Sequence, residues 1–120
     1  MKILLVDDEI EYVSTQAERL SFRGIDAHWV TSGKDALEKL TTETYSLAVM
    51  DLKMPGIGGI ELKKMVEKKY PLMKFIYVTG HGSEEDYKTC TADSVCYMVK
   101  PIDIDNLVKM INKILQIKTS

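Results

Sequence analysis

Four short apolar runs in this chain each stop on a polar residue, and the stretches between them carry apolar residues at helical spacing. Lys2-Ile3-Leu4-Leu5-Val6 stops at Asp7 and Asp8, and Ser46-Leu47-Ala48-Val49-Met50 stops at Asp51. Lys74-Phe75-Ile76-Tyr77-Val78 stops at Thr79, and Val95-Cys96-Tyr97-Met98-Val99 stops at Lys100. Apolar runs of about five residues that alternate with helical periods specify βαβ units, and hence a parallel sheet with helices on both faces. In such an open sheet the carboxyl ends of the strands face one crevice. Asp7, Asp8, Asp51, Thr79 and Lys100 are therefore expected to converge, although they are spread over most of the sequence. Three carboxylates, a hydroxyl and an ammonium suit a divalent cation and a phosphoryl group.

A length of 120 residues matches one domain, and the expected organisation is a single domain over 1–120. The sequence is 45% hydrophobic and 28% charged with a net charge of −2, which fits an ordinary soluble domain and opposes general nucleic-acid binding. The first apolar run is cut short by Asp7-Asp8-Glu9. It falls far below the roughly 18 residues needed to span a bilayer and is too short for a secretory signal. The expected compartment is the cytoplasm, with no membrane contact. Cys90 and Cys96 are read as two small buried hydrophobes in preference to a disulfide or metal pair.

The periodicity predicts a first helix over 9–22 with Ile10, Val13, Ala17 and Leu20 on its inner stripe, and Gly24 as its stop. A short strand follows over 25–30, in an edge-like position that holds His28 and Trp29. Ser32 and Asp35 form a capping pair for a second helix that runs to about residue 42, with Ala36, Leu37 and Leu40 facing inward. A third helix is expected over 59–69, and a fifth over 103–117 with Asp103 as N-cap and Leu107, Val108, Ile111 and Leu115 as its apolar stripe. The fourth, over 83–92, offers only Tyr87, Cys90 and Ala92 for burial, so it and the preceding Gly80-His81-Gly82 loop are expected to be the moving part. Gly56-Ile57-Gly58-Gly59 reads as a turn rather than a dinucleotide loop, and Lys63, Lys64, Lys68, Lys69 and Lys74 as a solvated flank.

Adjacent residues on a regular strand point to opposite faces, so Asp7 and Asp8 can share one site only where the strand ends. Hard oxygen ligands in this small number favour Mg²⁺, which keeps waters and phosphate oxygens in its coordination sphere. Asp51 is held at its strand end by the turn at Met54-Pro55-Gly56. An aspartate there can attack phosphorus and form an acyl phosphate. Lys100 supplies a positive charge and Thr79 a hydroxyl donor for the phosphoryl oxygens.

With Val6-Asp7-Asp8-Glu9, Met50-Asp51-Leu52-Lys53-Met54-Pro55-Gly56, Val78-Thr79-Gly80 and Tyr97-Met98-Val99-Lys100-Pro101, the chain resembles a response regulator receiver domain (CheY-like) of bacterial two-component systems. The resemblance covers essentially the whole sequence. It implies a flavodoxin-like α/β fold with a five-stranded parallel sheet of order 2-1-3-4-5 and five helices. It implies that Asp51 is the phosphoacceptor, and that Asp7, Asp8, Asp51 and the backbone carbonyl of Lys53 hold Mg²⁺. Lys100 would contact the phosphoryl group, Thr79 and Tyr97 would be paired switch residues, and the bond before Pro101 would be cis. The donor would be a histidine kinase or phosphotransfer protein. The switched face, formed by the fourth helix, fifth strand and fifth helix, would be read by a homodimer, a partner or a fused output domain, with no nucleic-acid contact by this domain. Such a domain is no turnover enzyme; it catalyses only its own phosphorylation and dephosphorylation.

Some positions depart from the family pattern. Gly58 stands where many members carry Asp, which loosens the loop after Asp51, and Asp93-Ser94 replaces a common Gly-Ala. Lys53 and His81 lie two residues beyond Asp51 and Thr79, where side chains in this family tune the phosphoryl lifetime. A haloacid dehalogenase-type phosphatase also uses Asp, Thr or Ser, and Lys. Its two carboxylates, however, sit in an Asp-x-Asp motif, whereas Asp7 and Asp8 are contiguous. The remaining alternative is a degenerate receiver used only for docking, and the complete acidic and lysine set opposes it.

Overall fold

The computed structural model describes residues 2–80 and 95–115. In chain order the elements are β1 (Lys2–Val6), α1 (Ile10–Phe22), β2 (Asp26–Val30), α2 (Gly33–Thr42), β3 (Leu47–Asp51), α3 (Gly59–Lys69), β4 (Lys74–Thr79), β5 (Val95–Val99) and α4 (Ile104–Ile114). All five strands are parallel and lie in the order β2-β1-β3-β4-β5, the flavodoxin-like α/β arrangement. Four helices are present among the described residues, and the helix expected over 83–92 lies outside them, as do the Asp93-Ser94 and His81 positions.

The strands alternate between two cores. Ile3, Leu5, Leu47, Val49, Ile76, Val78 and Cys96 pack with Val13, Ala17 and Leu20 of α1 and Leu107 and Ile111 of α4. Their neighbours Leu4, Val6, Ala48, Met50, Phe75 and Tyr77 pack with Ala36 and Leu40 of α2 and Leu62 and Val66 of α3. Both faces of β1, β3 and β4 are thus covered, which explains why these strands read as unbroken apolar runs. Each fully buried aliphatic side chain contributes about 1.5–3 kcal/mol. On the edge strand β2 the burial is only partial.

Local signals set the helix limits. At the end of α1, Gly24 adopts φ +80, and the amides of Gly24 and Ile25 donate to the carbonyls of Ser21 and Leu20. This pair of bonds is a Schellman stop, which a residue with a Cβ would strain. The Ser32 hydroxyl accepts from the Asp35 amide at 3.0 Å, and the Asp103 carboxylate from the Asn106 amide at 3.3 Å. At Gly59, an added Cβ would lie 2.7 Å from the Asp51 carbonyl oxygen, so the start of α3 packs directly on the backbone that carries Asp51. Gly58 is the N-cap of α3 and makes no side-chain cap bond, whereas an Asp there would offer one.

Two expectations need correction. Ile10 is 58% exposed, and the fourth buried position of α1 is Gln16. The inner stripe follows the contacts of β1 and α4 rather than hydrophobicity alone. Cys96 is buried as expected but is disulfide-bonded, not a free thiol, while Cys90 lies outside the described residues. Among the described residues no helix is long and apolar enough to cross a membrane.

At the amino-terminal edge of the sheet, Glu43 joins β1 to the end of α2. Its carboxylate pairs with Lys2 and Lys39, each at 3.0 Å, and accepts from the Tyr45 hydroxyl at 3.1 Å. The hydrogen bonds from Lys2 and Lys39 hold the Glu43 carboxyl down at about 2. A depressed carboxyl contributes stability above its ordinary value of 4.5, and that stability is lost as pH falls toward about 2. The urea midpoint of the wild type should therefore fall more steeply than that of Glu43→Gln across this window. Parallel curves would contradict the assignment.

Candidate functional site

The register of the sheet places the strand ends at one level. Val6 is opposite Met50, Asp51 opposite Val78, and Thr79 opposite Val99. Strand alternation does the rest. Leu5, Val49 and Met98 belong to the core under α1 and α4, and the next residues of the same parity are Asp7, Asp51 and Lys100. These three meet. The Lys100 Nζ lies 2.8 Å from Asp7 Oδ2, 3.2 Å from Asp51 Oδ2 and 2.7 Å from Glu9 Oε1. It also stands 4.6 Å from the centre of the Tyr12 ring.

Backbone amides fix the other carboxylate oxygens. Asp7 Oδ1 accepts from the Glu9 amide at 2.9 Å, and Asp51 Oδ1 from the Lys53 amide at 3.0 Å. Asp7 and Asp51 are buried, whereas Asp8 is exposed. Oxygen atoms of Asp7, Asp8 and Asp51 lie within 4.8 Å of one another. Three hard anionic donors so close together suit a small divalent cation, which would relieve their mutual repulsion. Their electrostatics agree. Burial, with the nearby Asp51 charge, keeps the Asp7 carboxyl above its ordinary value against the opposing effect of Lys100. Burial opposes the charge on Lys100, but the bonds to Asp7 and Glu9 outweigh it and hold the ammonium above its ordinary value.

Thr79 ends β4, is buried, and its carbonyl accepts from the Lys100 amide at 2.8 Å. The Lys100–Pro101 peptide bond is cis. Tyr97 sits on β5 opposite Tyr77, with ring centres 5.3 Å apart. Burial, then the Tyr97 neighbour, pushes the Tyr77 hydroxyl up to about 12. The Lys53 side chain is exposed, and its amide is bound to Asp51. Glu9, Tyr12 and Gln16 join the site without a motif of their own in the sequence. Glu9 directly follows the acidic pair, and Tyr12 and Gln16 lie four apart on α1, a spacing that puts two side chains on one helix face.

Removing the ammonium leaves two buried carboxylates without their cation. Because Lys100 is partly exposed, the expected cost of Lys100→Met at pH 7 without metal is roughly 2 kcal/mol, below the full cost of breaking a buried pair. Adding Asp7→Asn to Lys100→Met should restore part of that loss, since it removes one unpaired charge. Urea unfolding of the wild type, Lys100→Met and the double variant measures both effects, and an unchanged Lys100→Met midpoint would contradict them.

Comparison with known proteins identifies the family of the sequence and of the fold. The sequence model of the response regulator receiver domain matches residues 3–112. The transcriptional regulatory protein GlrR of Escherichia coli K12 is 32% identical over 115 residues, covering 95% of this chain and 26% of that protein. The DNA-binding transcriptional regulator NtrC of Klebsiella pneumoniae is 27% identical over 110 residues, covering 91% and 24%. The chain thus spans about a quarter of the length of these relatives. Among solved structures, a response regulator receiver domain protein (CheY-like) from Methanospirillum hungatei JF-1 superposes with a TM-score of 0.83 at 30% identity, covering 96% of this chain and 93% of that one. The response regulator protein TrrA from Thermotoga maritima, in complex with Mg²⁺–BeF, gives 0.77 at 31% identity, with 94% and 97% covered. With a family match over nearly its whole length and the same sheet order, this chain belongs to the response regulator receiver domain family.

Proposed function

We propose that this chain is a phosphoacceptor signalling domain in which Asp51 takes a phosphoryl group from a histidine kinase, a phosphotransfer protein or a small acyl phosphate. The observation that carries this reading is the meeting of Asp7, Asp8 and Lys100 around Asp51. An Asp51 carboxylate oxygen forms a bond to phosphorus while the bond from phosphorus to the donor nitrogen or acyl oxygen breaks, its electron pair leaving with the donor. Asp7, Asp8, Asp51 and the backbone carbonyl of Lys53 are the groups that would hold Mg²⁺, which when bound supplies positive charge against that of the transferring phosphoryl group. Lys100 then gives its ammonium to the phosphoryl oxygens, and the Thr79 hydroxyl donates to another of them.

The phosphoryl group adds about −1.5 to −2 charge where only one carboxylate stood. Thr79 is drawn toward it, Tyr97 changes rotamer, and a pre-existing equilibrium of the face that includes β5 and α4 shifts. A second copy of the chain, a partner or a fused output domain reads that face. The names of the relatives, which are transcriptional regulators, favour an output on DNA exerted through a domain other than this one. The 120 residues act as a single cytoplasmic receiver domain that catalyses only its own phosphorylation and dephosphorylation.

Incubation with acetyl phosphate and Mg²⁺ should add one phosphoryl mass to the intact wild-type protein, and Asp51→Asn should abolish it. An undiminished increment in the variant would refute the assignment of Asp51, and steady turnover of a phosphate ester would favour a phosphatase.

A further inference from the structure

We propose that Tyr12 and Gln16, one turn apart on α1, position the Lys100 ammonium and thereby set how fast Asp51 accepts a phosphoryl group. The kinetic half of this rests on the reading that Lys100 contacts the phosphoryl oxygens. Lys100 carries its charge on a flexible stem among Asp7, Glu9 and Asp51. Attraction to several carboxylates is strong but has little direction, and it leaves the ammonium free to move among them. The Tyr12 ring adds direction, because a cation is drawn to the face of a ring, and this one lies 4.6 Å from the nitrogen.

The ring is itself held. Gln16 Nε2 donates to the Tyr12 hydroxyl at 3.1 Å and to the Ile102 carbonyl at 3.4 Å. One amide therefore ties the ring beside the ammonium to the backbone two residues beyond Lys100. Gln16 is only 6% exposed, and its Oε1 has no hydrogen-bond partner among the described residues. A buried acceptor left unpaired works against stability. An apolar residue of similar length would remove this unpaired acceptor, but it could not donate these two bonds and would leave the Ile102 carbonyl without its donor. A small cavity lined by Asp7, Tyr12, Gln16, Asp51 and Ile102 places the pair beside the carboxylates that Lys100 serves.

The test compares the full chain with Tyr12→Leu, Tyr12→Phe and Gln16→Leu. The first readout is the rate of phosphorylation by saturating acetyl phosphate with Mg²⁺, in which the Asp51 oxygen–phosphorus bond forms and acetate leaves. Tyr12→Leu and Gln16→Leu should each lower the rate by roughly fivefold, and Tyr12→Phe, which keeps the ring, by no more than about twofold. Rates are compared well below the urea midpoint of each variant, where all four proteins are folded, so a slower reaction of Gln16→Leu cannot be put down to a loosened fold. The second readout needs no phosphorylation. In urea unfolding, Tyr12→Leu and Lys100→Met should be non-additive, with a coupling of roughly threefold or more in the folding equilibrium constant. Unchanged rates in both leucine variants of a chain that does phosphorylate would overturn the proposal, as would strictly additive stability effects. If the wild type took up no phosphoryl group, the proposed function would fail, and the Tyr12–Lys100 coupling would still decide whether the ring positions the ammonium.

Discussion

One ammonium group organises this molecule's polar end. Lys100 pairs at once with Asp7, Glu9 and Asp51 and lies against the Tyr12 ring. These partners come from the turn after β1, from α1 and from β3, while Lys100 itself follows β5. Two buried carboxylates so close together would repel strongly, and burial makes matters worse by removing water from both. A cation of fixed charge at that point allows the strand ends to stay together. The arrangement is also poised for exchange, because whatever brings a second positive charge to the carboxylates releases Lys100 for another anion.

The parallel sheet delivers these groups with little help from the loops. Its two cores take alternate residues of each strand, so the parity that buries Leu5, Val49 and Met98 under α1 and α4 sends Asp7, Asp51 and Lys100 to the same side. The other parity packs Leu4, Met50 and Tyr77 against α2 and α3. A one-residue slip of any strand would exchange its core and site residues together. Packing energy therefore protects the site's geometry. The close seat of Gly59 on the Asp51 carbonyl extends this restraint to the loop behind the acceptor.

Much of this was legible from residue order. Unbroken apolar runs marked the covered strands, and the caps at Ser32 and Asp103 and the stop at Gly24 marked helix limits, because each depends on contacts a few residues away. The polar strand ends named Asp7, Asp8, Asp51, Thr79 and Lys100 for the same reason. What escaped depends on long-range neighbours. Helical spacing alone puts Ile10 inward, yet it is exposed, while Gln16 is buried and donates to the Ile102 carbonyl, 86 residues away. Tyr12 and Glu9 join the site through Lys100, about ninety residues further along the sequence. The disulfide on Cys96 likewise has no signal in the apolar run that holds it.

These scattered groups form one pocket of charge suited to a metal-assisted phosphoryl group. Beryllofluoride mimics a phosphoryl group on a carboxylate, and fluorine NMR reads its bound and free forms separately. In the presence of Mg²⁺ the protein should give bound resonances that saturate near one equivalent, and removal of Mg²⁺ with a chelator should erase them. Resonances of free beryllofluoride alone, at protein and Mg²⁺ concentrations well above those used for phosphorylation, would contradict the account.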